Sequence, residues 1–284
     1  MRLLRYGEKG HEKPGCLDDD GSIRDLSPFI PDIIGPVLSS EKLDSLSKIK
    51  TKDLAIVKNS TRLAPCINQV GKFLCIGLNY SDHAKETGAT IPSEPVLFIK
   101  ANSSISGPHD PIIIPQGSTH TDWEVELGIV IGKTAKHIKE KDALHYIAGY
   151  CMVQDISERH YQLDGTGQWT KGKSCDTFGP IGPWLVTKDE IPDPQQLSLW
   201  LEVDGNRYQN SHTSQMIFKV SYLISYLSQF FTLYPGDLIS TGTPAGVGLA
   251  QKPNAIYLKP GQTVKSGITQ LGEQHHITVA EEII

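Results

Sequence analysis

Cysteine pairs, long apolar runs and excess positive charge are all scarce in this chain, and each lack removes a class of function. The five cysteines, Cys16, Cys66, Cys75, Cys151 and Cys175, are odd in number and scattered, with no Cys-x-x-Cys pair. Neither a disulfide framework nor a zinc cluster is therefore indicated, and the thiols read as free in a reducing cytoplasm. No apolar stretch approaches the ~18 residues of a membrane-spanning helix, and the opening Met1–Gly7 segment meets charge too early to read as a signal peptide. With 27 Lys and Arg against 32 Asp and Glu, a net charge of −5 and no long basic run, neither nucleic acid nor an anionic membrane is the expected partner. A Gly-x-Ser-x-Gly elbow is missing, which removes the serine-hydrolase reading.

What is present centres on Thr121-Asp-Trp-Glu-Val-Glu-Leu-Gly-Ile-Val-Ile-Gly132. Its side chains alternate with the period of two that a strand imposes, placing Glu124, Glu126 and Gly128 on one face and Trp123, Val125, Leu127 and Ile129 on the other. Two carboxylates about 7 Å apart on one strand face repel unless a cation lies between them. An isolated Glu-x-Glu is more often a solvated face, so the metal reading needs a third ligand. Asp155 offers one, because it stands where the apolar strand Ile147–Gln154 runs into a loop. Three carboxylates without a soft ligand suit Mg²⁺ or Mn²⁺ and leave positions open for a chelating substrate.

The 284 residues allow one large domain or two, and a soft boundary at Ala64-Pro65-Cys66 divides a small N-terminal domain, 1–66, from a main body, 67–284. Strands are expected at 2–6, around Gly15–Leu26 with a turn at Asp18–Gly21, and at Phe73–Leu78, Val96–Lys100, Ile112–Ile114, 198–203 and 238–241. Helices are expected from Ser39 to Ile49, after Ser81 or Asp82 as caps, at Lys139–His145 and at Met216–Phe231. Residues 157–184 read as a long functional loop, and His275-His276 as an exposed turn. There is no internal repeat. On the short helix closed by Gly88, His83 and Glu86 are i and i+3 on one face, so the carboxylate can orient the imidazole. Such a pair is common on surfaces; beside a metal it becomes a general base. The segment Asn79–Pro92, with Gly77 and Gly88 as hinges, is expected to be a lid.

Gly167-Gln-Trp-Thr-Lys-Gly-Lys173-Ser174 satisfies the phosphate-loop pattern letter for letter. The strand before and helix after that the mechanism requires are both missing, so nucleotide binding is not expected, and Lys173 is read instead as a cation close to the carboxylates.

With Glu124, Glu126, Asp155, the Gly-Lys-Ser loop and Gly236-Asp-Leu-Ile-Ser-Thr-Gly-Thr-Pro244 in this order, the chain from about Phe73 onward resembles the fumarylacetoacetate hydrolase family. The resemblance implies an α+β fold, a mixed β-sandwich roll with a small N-terminal α+β domain, usually dimeric. It implies that Glu124, Glu126 and Asp155 hold Mg²⁺ or Mn²⁺, that His83, Glu86 and Lys173 are catalytic, and that Arg159, Gln162, Thr243 and Lys100 contact a small 2-oxo acid substrate. The opening Leu3-Leu-Arg-Tyr-Gly7 and the Gly-Lys-Ser stretch look like the branch handling 2,4-diketo-3-deoxy sugar acids. The implied reaction is C–C hydrolysis of a 2,4-dioxo acid to pyruvate and a second acid. Decarboxylation or isomerisation of 2-oxo or 2-hydroxydienoic acids is the alternative, and a non-catalytic metal-binding protein is a third.

Overall fold

The central strand, Val125–Ile131, is buried at every residue, which requires apolar layers on both faces of its sheet. In the computed structural model, which describes residues 1–58 and 61–282, those layers are built from different parts of the chain. Residues 59, 60, 283 and 284 of the two expected domains lie outside the described residues. One face of the strand, Val125, Leu127, Ile129 and Ile131, packs with Leu199, Leu201, Val203, Val264 and Ile268 of a second sheet and with Leu223, Ile224 and Leu227 of a helix. Across the other face, Val130, Val153, Cys151 and Leu238 pack with Leu3, Ile33 and Leu38 from the N-terminal residues.

The large sheet has eleven strands among the described residues. Its middle runs Arg2–Tyr6, Leu185–Thr187, Ile147–Gln154, Val125–Ile131, Leu238–Ser240, Phe73–Gly77 and Val96–Ile99. The pairing is antiparallel except where Leu238–Ser240 lies parallel to Phe73–Gly77, so the sheet is mixed. Strands Lys13–Leu17, Ile23–Asp25 and Ile56–Val57 prolong the same sheet beyond Arg2–Tyr6, with a turn whose Gly21 takes a φ of +80°. The smaller sheet has five strands among the described residues, ordered Asn206–His212, Ser198–Val203, Thr263–Ile268, Gly272–Ala280 and Ile112–Ile114. With five short α-helices among the described residues set around these sheets, the fold is α+β.

The helices are α1 (Ser40–Leu46), α2 (Ser81–Thr87), α3 (Arg159–Leu163), α4 (Thr170–Lys173) and α5 (Val220–Phe230). Ser39 caps α1 by accepting from the Lys42 N–H. For α2 the cap position is Tyr80, not Ser81 or Asp82, whose side chains bond to Gln215 and Ser211 instead. Helix α5 begins at Val220 after backbone that is extended at Met216 and Lys219; in between, the Ile217 N–H donates to the Asn79 carbonyl and the Phe218 N–H to Asn79 Oδ1. Residues 140–146 form a 3₁₀ rather than an α-helix. The expected loop at 157–184 contains α3, α4 and short strands. His275-His276 is no turn: both residues lie within strand Gly272–Ala280, and His276 is buried with Nδ1 against the Asp110 carbonyl at 2.7 Å.

Candidate functional site

Three elements bring the carboxylates together. The run of strand from Thr121–Asp122 to Val125–Ile131 is interrupted at Trp123-Glu124, and there the Asp155 N–H donates to the Glu124 carbonyl at 2.9 Å, bridging from the end of strand Ile147–Gln154. Glu124, Glu126 and Asp155 are all buried, and one carboxylate oxygen from each lies within 4.8 Å of the others. The Glu126 Oε2 accepts from Ser240 Oγ at 2.5 Å and from the Gly242 N–H at 2.9 Å, so the turn after strand Leu238–Ser240 orients it.

A fourth carboxylate was not singled out from the sequence. Asp122 is buried and accepts from the Gly248 and Leu249 N–H groups at 2.6 and 2.9 Å and from Arg159 Nε at 2.8 Å. Its signal was the same period-two alternation, since Asp122 stands two residues before Glu124. Against these four carboxylates stand three buried cations. Arg159 Nη2 also reaches Glu124 Oε1 at 2.7 Å; Lys173 Nζ sits 2.7 Å from both Glu124 Oε2 and Asp155 Oδ2; Lys100 Nζ sits 2.6 Å from Asp155 Oδ1.

The imbalance falls on Glu126. Burial pushes its carboxyl well above the usual range, and the neighbouring charges of Asp155 and Glu124 push it further, with Lys173 and the Ser240 hydrogen bond opposing. Glu124 behaves oppositely: burial raises it, but Lys173 and Arg159 outweigh burial and hold it at about 2. Burial works against the charged forms of Lys173 and Arg159, and the carboxylates overcome it in both, keeping them cationic. The uncompensated carboxylate beside two others, with all-oxygen donors, fits a hard divalent cation.

The carboxylates share a cavity of about 240 Å³ with His83 of α2, while Glu86 is not among its lining residues. His83 lines this cavity, its Nδ1 3.3 Å from Glu86 Oε2, and Glu86 is itself fixed by the Gly246 N–H at 3.0 Å to both carboxylate oxygens. The expected lid is anchored at its start. Asn79 and Tyr80 are fully buried, with Asn79 Nδ2 donating to the Thr241 and Phe218 carbonyls, whereas Lys85 and most of residues 88–95 are exposed. Gly88 closes α2 with a φ of +69°, but Gly77 has another reason to be glycine: a Cβ there would stand 2.5 Å from the Trp169 ring.

Arg159, Gln162 and Thr243 line the cavity with the triad, Lys173 and His83; Lys100 does not. Lys100 lies behind Asp155, donating also to the Ile156 carbonyl at 3.0 Å, so its contact is with the Asp155 carboxylate rather than with the cavity. Thr243 donates to the Val125 carbonyl and accepts from Gln209 Nε2, a buried glutamine that also accepts from the Val125 N–H. The phosphate-loop lookalike has a packing explanation. A Cβ at Gly172 would meet the Gln162 nitrogen at 2.4 Å, so the glycine lets α4 close onto α3; Lys173 enters the carboxylate cluster, and Ser174 Oγ accepts from the Ala101 N–H.

Comparison with known proteins agrees with this geometry. A family model described as the fumarylacetoacetate (FAA) hydrolase C-terminal domain matches residues 72–279. A Burkholderia ambifaria protein, whose name carries only a provisional hydrolase assignment, is 58% identical over 274 residues, covering 96% of this chain and 97% of that protein. Among solved structures, 2-hydroxyhepta-2,4-diene-1,7-dioate isomerase from Mycobacterium marinum is 31% identical with a TM-score of 0.75, covering 100% of both chains. Maleylpyruvate hydrolase from Sphingobium sp. SYK-6, solved with manganese(II) and pyruvate, is 27% identical with a TM-score of 0.83, covering 99% of this chain and 100% of that one. This chain belongs to the fumarylacetoacetate hydrolase family.

Proposed function

We propose that the cavity is the active site of a divalent-metal-dependent hydrolase that cleaves a 2,4-dioxo acid between C3 and C4, yielding pyruvate and a second carboxylic acid. The observation that carries this reading is the placement of His83, whose Nδ1 faces Glu86, on the same cavity as Glu124, Glu126, Asp155 and Lys173. Glu124, Glu126 and Asp155 would hold the ion, Mg²⁺ or Mn²⁺. When bound, such an ion acts as a Lewis acid toward the 2-oxo acid end of the substrate.

The chain's own residues supply the rest. Glu86, held by the Gly246 N–H, faces His83 Nδ1 and thereby leaves Nε2 as the atom that takes a proton from water. The water oxygen bonds to C4, the C3–C4 bond breaks, and its electron pair goes to C3, giving the enolate of pyruvate and the second acid. The proton on His83 Nε2 then passes to C3. Lys173, kept cationic by Asp155 and Glu124, places positive charge beside the developing enolate. Arg159 holds Glu124 and Asp122 in position.

Isomerisation of a 2-hydroxydienoic acid is the second reading, favoured by likeness to the Mycobacterium marinum isomerase. The two separate on product. With Mn²⁺ or Mg²⁺ present, a 2,4-dioxo acid should release one pyruvate per molecule consumed, read with a pyruvate-coupled assay. Tautomerisation of a 2-hydroxydienoate without pyruvate release would replace hydrolysis by isomerisation, and metal binding without either reaction would leave only a metal-binding role.

A further inference from the structure

The cavity has a charged floor and an apolar mouth. At the floor, Glu124, Glu126 and Asp155 are buried; at the mouth, Leu163 and Leu249 are 46% and 37% exposed. The walls between are Leu78, Val247 and the Trp169 indole, which packs edge-on against Phe98 at 5.3 Å and is seated over Gly77. A substrate whose 1-carboxylate and 2-oxo group lie at the floor must direct its acyl end along these walls.

The cations that line the cavity are already engaged. Arg159 is bound to Asp122 and Glu124, and Lys173 to Glu124 and Asp155. His83 faces Glu86. Lys85 on α2 and Lys171 on α4 are exposed and outside the lining. Among the described residues, then, no lining Lys or Arg lacks a carboxylate partner and could receive a second carboxylate from the substrate. A carboxylate held between the mouth and the floor, against Leu78, Val247 and the Trp169 indole, loses water without gaining a partner and is disfavoured.

Resting on the 2,4-dioxo acid reading above, we infer that the substrate is a monocarboxylate whose far end is a short uncharged acyl group, and that Leu163, Trp169 and Leu249 select against dicarboxylic 2,4-dioxo acids. The volume of about 240 Å³, floor included, suits a group of a few carbons beyond C4.

The test uses the full chain loaded with Mn²⁺ and two substrates of equal length, 2,4-dioxoheptanoate and 2,4-dioxoheptanedioate. We expect kcat/KM to favour the monocarboxylate by about 100-fold or more, because the site would leave the second carboxylate unpaired. Calorimetric titration with the uncleavable pair 2-oxoheptanoate and 2-oxoheptanedioate should show the same preference in binding. Leu163→Arg, at an exposed position, should narrow the ratio about tenfold by supplying the missing cation. Cleavage of the dicarboxylate as fast as the monocarboxylate would overturn this inference and leave the hydrolase reading standing. Cleavage of neither, with Mn²⁺ still bound, would overturn that reading and this inference with it. A ratio unchanged by Leu163→Arg would overturn the placement of the acyl end at the mouth.

Discussion

Replacing Lys100 with methionine deletes a buried cation while keeping most of its volume. Its ammonium is 2.6 Å from Asp155 Oδ1 and 3.0 Å from the Ile156 carbonyl, and the residue is 2% exposed. After the change, Asp155 keeps only Lys173 as a cationic partner, which it shares with Glu124. Removing one member of a buried ion pair costs about 3–5 kcal/mol, and the surviving Lys173 contact places the expected loss near the lower end, about 3 kcal/mol. For a chain of this size, that corresponds to a fall in Tm of roughly 5 °C in metal-free protein. Because the lost quantity is positive charge at Asp155, a divalent ion should restore part of it. Saturating Mn²⁺, at about 100 times Kd, stabilises the parent by about 2.7 kcal/mol, and the Mn²⁺-induced rise in Tm should be larger in the variant. Differential scanning calorimetry of both proteins, with chelator and with Mn²⁺, measures the four values. A metal-free Tm within 1–2 °C of the parent, or a Mn²⁺ shift no larger in the variant, would refute the assignment of Lys100 as the residue that holds Asp155.

His83→Ala should lower kcat about 10²–10⁴-fold while oxalate, a mimic of the pyruvate end, binds with parent affinity; loss of oxalate binding would argue that His83 holds substrate rather than moving a proton. Gly172→Ala puts a Cβ 2.4 Å from the Gln162 nitrogen and 2.6 Å from the Glu158 carbonyl oxygen, so α4 must shift and carry Lys173 with it. A fall of about 100-fold in kcat with a stability loss of about 1–3 kcal/mol is expected, and parent activity would contradict the packing explanation. Burial lowers His276 to about 4, against the hydrogen bond to the Asp110 carbonyl, which favours the protonated ring. With an unfolded value near 6.5, the unfolded chain binds more protons between these limits, so the His276 contribution should strengthen stability as pH rises from about 4 to 6.5, by up to about 3 kcal/mol. Urea titrations across that range should show a slope that flattens in His276→Asn, and an unchanged slope would assign it to other groups.

Local periodicity made several parts of this site legible before any tertiary information. Alternation along 121–132 placed Glu124 and Glu126 on one face, and the spacing of His83 and Glu86 put both on one face of α2, which the structure keeps. Period counting fails where a tertiary bond outbids a local one. Met216–Phe218 fit the helical pattern of α5, yet the bridge between Met216 and Tyr80 and the bonds of Ile217 and Phe218 to Asn79 hold this segment against residues 79–80 ahead of the helix. The pair His275-His276 carries a turn-like polar composition, but alternation within a strand buries one ring and exposes the other.

By itself the sequence determined the chemical identity of the site: three carboxylates in strand and strand-end positions, a histidine with its glutamate, and a lysine, in an order that marks the family. Those are properties of residue type and short spacing, which a linear pattern carries. Only the tertiary structure decided which charges meet. Arg159 reaches Asp122 across 37 positions, Lys100 reaches Asp155 across 55, and the Gly248 amide reaches Asp122 across 126. It also decided that Lys100 stands behind a carboxylate instead of lining the cavity, that Gly172 is a helix contact and not a phosphate cradle, and that the cavity mouth is apolar. The reason is physical: Coulombic and packing energies depend on distance in space, and residues tens of positions apart acquire that distance only when the two sheets and their connecting turns close on one another.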